Sequence, residues 1–173
     1  MFKERKFALF TIVVLLISLL FSGCNAKNTI EDAGKNIKQG TEKVSEDAKD
    51  IVSKIKDESM GYSKDELKKE LAKKGITLEK QDTTSPYFSV KSEDYKIVGG
   101  SLIIYEYNLE DKEKIISDLK TVTENGSVIN GTKINWLKAP HIYKKGRVVV
   151  IYDGDDEAIK TNLKEILGEP LLG

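Results

Sequence analysis

Fifteen consecutive residues, Phe7 to Phe21, carry no charge and are interrupted only by Thr11 and Ser18. Such a run must leave water: it enters a membrane, joins a core, or is removed. Crossing the hydrocarbon as a helix takes about 20 apolar residues, so this run is short for a span. Lys3, Arg5 and Lys6 precede it, and the small residues Ser22 and Gly23 follow it. A charged head, a short apolar middle and a small-residue exit make a secretory leader. The pattern places a signal peptide at residues 1–23; an uncleaved anchor over the same residues is the alternative.

Leu20-Phe21-Ser22-Gly23-Cys24 resembles the lipobox of bacterial lipoprotein precursors, with Phe21 departing from the usual Leu. The resemblance implies a diacylglyceryl group on the Cys24 thiol and cleavage between Gly23 and Cys24 by a dedicated signal peptidase. Cys24 is the only cysteine in the chain. The exported part therefore has no internal disulfide, cysteine nucleophile or thiolate metal site. Each buried methylene adds about 0.8 kcal/mol, and two or more acyl chains give stable anchoring. The expected location is the cell membrane, lipid-anchored and facing the extracytoplasmic side. Basic and acidic residues number 28 each in the whole chain, and the leader takes three of the basic ones and only Glu4 of the acidic. The slight acidic excess that remains offers no field for nucleic acid. It also leaves the lipid, rather than surface charge, to hold the protein down.

From Asn25 to Ser59 there is no aromatic residue and no proline. Ile30, Ala33, Ile37, Val44, Ala48, Ile51 and Ile55 recur at steps that share one helical face. Gly34 and Gly40 weaken the helix by about 1 kcal/mol each relative to alanine. Such a helix forms against something: a membrane surface, a partner helix or its own copy. The plain reading of residues 24–60 is a lipidated cysteine and a helical spacer. Gly23-Cys24-Asn25 and Thr29 to Gly40 also resemble the entericidin family of small envelope lipoproteins. That resemblance implies a membrane-proximal amphipathic helix.

Residues 61–173 differ in kind, holding the only Trp, all seven Tyr and the only His. Ser63-Lys-Asp-Glu66 is a capping box, with Leu67 and Leu71 inside the helix and Gly75 ending it. Ile76–Gln81 alternates as a strand, and residues 82–86 turn the chain. Tyr95–Val98 and Ser101–Tyr107 read as a hairpin across Gly99-Gly100. Asn108 is placed to cap a helix with Ile115, Ile116, Leu119 and Val122 on its inner face. Asn125-Gly126 and Asn130-Gly131 bracket a short strand. Thr132–Leu137 and Arg147–Tyr152 read as the two longest late strands. Asp153–Asp156 caps a last helix carrying Ile159, Leu163, Ile166 and Leu167. Paired strands with helices between them predict an α+β domain, an antiparallel sheet with helices packed on one face.

Trp136, Pro140-His141-Ile142-Tyr143, the run Val148 to Gly154 with its Tyr-x-Gly end, and Leu167-Gly168 resemble the tail of small uncharacterised bacterial envelope lipoproteins. The resemblance implies an envelope location and a recurrent domain, and names no substrate. His141 is the one side chain that titrates near neutral pH unaided. A hydrolase would need Ser127 and Asp153, or their equivalents, to converge on it. Asp153-Gly-Asp-Asp-Glu157 offers four acids for weak calcium binding, but capping the next helix explains them better. No cofactor and no metal centre are expected. Alternation puts Ile103, Tyr105 and Tyr107 on one face, with Leu102, Ile104 and Glu106 on the other. A sheet open on one side would expose aromatics there, which makes Tyr105, Tyr107, Trp136, His141 and Tyr143 the candidate binding face.

The leading expectation is a membrane-anchored lipoprotein displaying a small non-catalytic binding domain, not an enzyme. Its partners would be the membrane, through diacylglyceryl-Cys24, and a protein or cell-wall polymer. One alternative is an entericidin-like membrane-active or stress lipoprotein. Another is an envelope hydrolase using His141.

Overall fold

The computed structural model describes residues 46, 48–55 and 59–173. The leader, Cys24 and the helical stripe up to residue 45 lie outside the described residues. The first described element, α1, is helical over residues 48–54. α2 (Lys64–Lys73) starts where the capping box predicts: Ser63 accepts from the Glu66 N–H, and the Glu66 carboxylate accepts from the Ser63 N–H at 2.7 Å. It stops at Gly75, whose φ of 76° continues the chain in a left-handed turn.

The main sheet is antiparallel, in the order β1 (Glu79–Lys80), β2 (Ser92–Ile97), β3 (Gly100–Glu106), β8 (Val148–Gly154), β7 (Pro140–Lys145). A second sheet holds β4 (Val122–Thr123), β5 (Val128–Ile129) and β6 (Thr132–Lys133). α3 (Lys112–Leu119) and α4 (Glu157–Leu167) complete the α+β fold. β8 is buried along its whole length, as its Val-Val-Val-Ile run requires of an interior strand.

Alternation sorts the sheet into two faces. Tyr95, Ile97, Leu102, Ile104, Val150 and Tyr152 meet α2 and α4 on the first. Ile103, Tyr105, Tyr107, Val149 and Ile151 lie on the second. The sequence pattern predicts the two-face split of β3, and the structure has it. It does not have the open second face. Ile115 and Leu119 of α3, Val122 and Ile129 of the small sheet, Phe88 and Ile51 all pack there. A face with five large apolar side chains needs a cover, and short elements far apart in the sequence provide it. Ile51 is fully buried, and Lys54 Nζ donates to the Leu171 carbonyl at 3.2 Å. This end of the stripe is therefore part of the domain's core.

Several boundaries move. The hairpin turn is Val98-Gly99, with Ile97 paired to Gly100. Gly100 is needed inside the strand because a Cβ there would lie 2.3 Å from the Asp153 carbonyl oxygen. The partner of β8 on its outer side is Pro140–Lys145, not residues 132–137. Pro140 is tolerated there as the first residue of an outer strand, where its missing N–H breaks no ladder bond. Asp111, not Asn108, sits at the α3 N-cap, and its carboxylate accepts from the Asn108 backbone and side-chain amides. Residues 76–81 keep only a two-residue strand at the sheet edge.

Glu93 ties α2 to β2. Burial alone would push its carboxyl up, but hydrogen bonds from Lys64, Lys68 and Tyr95 outweigh that and hold it at about 2, against 4.5 for a free side chain. A carboxylate depressed in the fold gives stability that is present above the unfolded value and lost as pH falls through the folded one. Stability should therefore drop as pH falls from 4.5 toward about 2. Urea midpoints across that range should fall less steeply for Glu93→Gln; parallel curves would show that this cluster carries no pH dependence.

Candidate functional site

Ser92, Asp94 and Lys96 alternate onto the second face of β2, where a packed sheet would ordinarily place apolar residues. Asp94 and Ser92 are buried, so their polar atoms need partners. The Ser92 hydroxyl donates to one Asp94 carboxylate oxygen at 2.6 Å, and the Ser85 hydroxyl donates to the other at 2.7 Å. The Ser85 N–H in turn donates to Ser92 Oγ, and the Tyr105 hydroxyl donates to the Ser85 carbonyl. Further along, Ser89 donates twice to Asp118, which also accepts from the Tyr107 hydroxyl. The 81–91 loop has no regular structure, yet these bonds pin it across the sheet. Burial and the nearby carboxylates drive the Tyr105 and Tyr107 hydroxyls far above their ordinary range, keeping them neutral donors.

A second loop, 134–139, is pinned opposite. The Ile134 N–H donates to the Ser127 carbonyl, and Trp136 Nε1 donates to the Gly126 carbonyl at 2.8 Å. Leu137 and Lys138 N–H groups donate to the two Asp153 oxygens at 3.1 and 2.8 Å. Between the loops the Tyr87 and Trp136 rings meet edge to face, 5.4 Å apart. They border a groove of about 340 Å³ whose floor is Asp94, Lys96, Ser101, Ile103 and Asp153 and whose walls include Gln81, Ser85 and Asn135. The arrangement offers hydroxyls, amides, two carboxylates and an aromatic wall at fixed positions. Two rings and several polar groups on pinned loops can bind and orient a ligand.

The residues singled out from the sequence do not gather there. Tyr105 and Tyr107 are buried on the second face, and Tyr143 is buried on the first. Of the five aromatic-face candidates, Trp136 alone borders the groove. His141 is half-buried on β7, stacked at 6.0 Å on the Tyr152 ring and close against Gly173. Burial lowers its pKa, and Lys160 lowers it further. His141 shares the first face with Tyr152, whereas Asp153 points to the second and spends its carboxylate on the 137–138 amides. Ser127 donates to the Glu124 carbonyl. The three residues therefore do not converge. The four late acids have separate tasks: Asp153 holds the 134–139 loop, Asp155 pairs with Lys138, Asp156 caps α4, and Glu157 pairs with Lys160.

Tyr87, Ser85 and Asp94 border the groove but are not among the candidate binding residues read from the sequence, and Ser92 supports Asp94 through its hydroxyl. Their signal is Ser92-x-Asp94 on a strand followed at once by apolar alternation, which places polar groups on a face that must be covered. No protein-family model matches the chain, and no similar curated protein or solved structure was found.

Proposed function

We propose that the chain is an envelope lipoprotein, held to the membrane through Cys24, whose domain is a non-catalytic binding module with its ligand seated between the 81–91 and 134–139 loops. The observation that carries this reading is the pinning of both loops by buried polar groups. Satisfied buried hydrogen bonds steady any fold, but here they hold two loops whose polar groups border an open groove, and a recognition surface needs such groups held still before its ligand arrives. The separation of His141, Ser127 and Asp153 supports the non-catalytic half of the proposal. The lipobox-like Leu20–Cys24 supports the anchored half. The packing of Ile51 into the domain favours this reading over the membrane-active alternative, because part of the amphipathic stripe is already occupied.

In the producing cell, Cys24→Ser should move the protein from the membrane to the soluble fraction and abolish labelling by radioactive palmitate. His141→Ala should rescue a null strain fully, while Tyr87→Ala should not. Rescue by Tyr87→Ala together with failure of His141→Ala would overturn the binding-module reading in favour of the hydrolase.

A further inference from the structure

The groove's chemistry narrows what it can hold, and this step rests on the reading just given. Each Asp94 oxygen accepts one serine hydroxyl, and a carboxylate has about four lone-pair sites. Acceptor capacity is left over for a ligand that brings donors. Asp153 is in the same state, with one backbone N–H on each oxygen. Gln81, Ser101 and Asn135 can both give and accept. Among the described residues that line this groove, Lys96 is the one cation against Asp94 and Asp153, so the groove itself is slightly acidic and does not favour an anion. The wall formed by Tyr87 and Trp136 asks for a flat apolar patch on the same ligand. A molecule that is uncharged, rich in hydroxyl donors and acceptors, and faced with C–H groups is a saccharide.

A second cavity, of about 390 Å³, is also bordered by Gln81 and Thr83, and its lining sets Lys64, Lys80 and Lys91 against Asp82 and Glu93. Residues 81–84 thus border two neighbouring cavities, which gives room for more than a single ring. Both volumes fall in the lower part of the roughly 300–1,000 Å³ range of small-molecule sites.

We infer that the groove between Asp94 and the Tyr87–Trp136 pair binds a neutral saccharide chain. Trp136 is the only tryptophan in the sequence, so the intrinsic fluorescence of the full chain in mild detergent reports on this wall directly. A short N-acetylglucosamine oligomer and a short neutral glucan should be titrated beside a polyglycerol-phosphate oligomer and a lysine-rich peptide. The two neutral arms distinguish an amino-sugar wall glycan from a plain hexose polymer.

The expected result is saturable change with a neutral oligomer and none with the phosphate polymer. Tyr87→Ala and Asn135→Ala should each weaken binding about ten-fold, the loss expected for truncating one well-placed contact. Their thermal midpoints separate that loss from unfolding. Saturation by the peptide or the polyanion alone would overturn the saccharide and leave the groove as a site for another ligand. Silence from every probe, repeated by calorimetry, would overturn the saccharide too. The binding-module reading would then fall only if Tyr87→Ala also rescued the null strain.

Discussion

Gly154→Ala should destabilise the domain by about 4 kcal/mol, combining the roughly 1–3 kcal/mol of an overpacked site with about 1 kcal/mol for each hydrogen bond it breaks. The glycine's backbone is ordinary strand, so the effect is one of space. A Cβ at this position would lie 2.3 Å from the Gly99 carbonyl oxygen, 2.4 Å from the Tyr152 hydroxyl oxygen and 2.5 Å from Tyr152 Cζ. None of these is the free end of a flexible side chain. The Tyr152 ring lies across the cross-strand pair Gly100 and Gly154, donates to the Gly99 carbonyl at 2.8 Å and accepts from the Asp156 N–H at 3.1 Å. One side chain thus joins the β2–β3 turn to the start of α4, and it needs two residues without Cβ beneath it. Urea midpoints measure the loss. The same substitution in a Tyr152→Leu background should cost less, because the two Tyr152 atoms and the bonds they make have gone while the Gly99 carbonyl oxygen stays. An equal cost in both backgrounds would assign the effect to the Gly99 carbonyl oxygen alone.

Ile51→Ala in the full chain should cost about 3 kcal/mol, within the range for truncating a fully buried aliphatic side chain. A free spacer predicts almost nothing, since surface changes fall within about 0.5 kcal/mol. The side chain is fully buried among residues of the second face, and Ile55 packs against the same cluster. Lys54→Ala is the control: it removes the bond to the Leu171 carbonyl and the exposed pair with Asp50 while leaving the core intact. Its loss should be well below that of Ile51→Ala. Equal and small losses from both would detach α1 from the domain.

The elements whose cause is local are the ones that can be read from the sequence. The capping box at Ser63–Glu66, the α4 stripe of Ile159, Leu163, Ile166 and Leu167, and the two faces of β3 depend on residues a few positions apart. The hairpin is legible too, but its register slips by one because Gly100 is demanded by Asp153, 53 residues away. β7 was hidden by Pro140, which ends most strands and is harmless on an outer one. The cover on the second face could not be foreseen, since it assembles α1, α3, Phe88 and a three-stranded sheet of two-residue strands. The groove follows from that cover. Trp136 could be singled out as an unusual residue, but Asp94 and Ser85 matter only because distant loops fold onto them.

The flanks of the main sheet bear on how many copies can share a surface. On one side, Ile142 exchanges bonds with Leu171 and Leu172, its N–H donating to the Leu172 carbonyl at 2.8 Å and its carbonyl accepting from the Leu171 N–H at 2.7 Å. On the other, β1 is two residues long and carries the exposed charges Glu79 and Lys80. Among the described residues, neither flank presents a long, bare row of backbone donors and acceptors, the template on which identical chains zip together. A protein concentrated in the plane of a membrane meets its own copies far more often than one dispersed in bulk. With both flanks blunted, the membrane anchoring proposed above would let copies crowd without the sheets growing into one another.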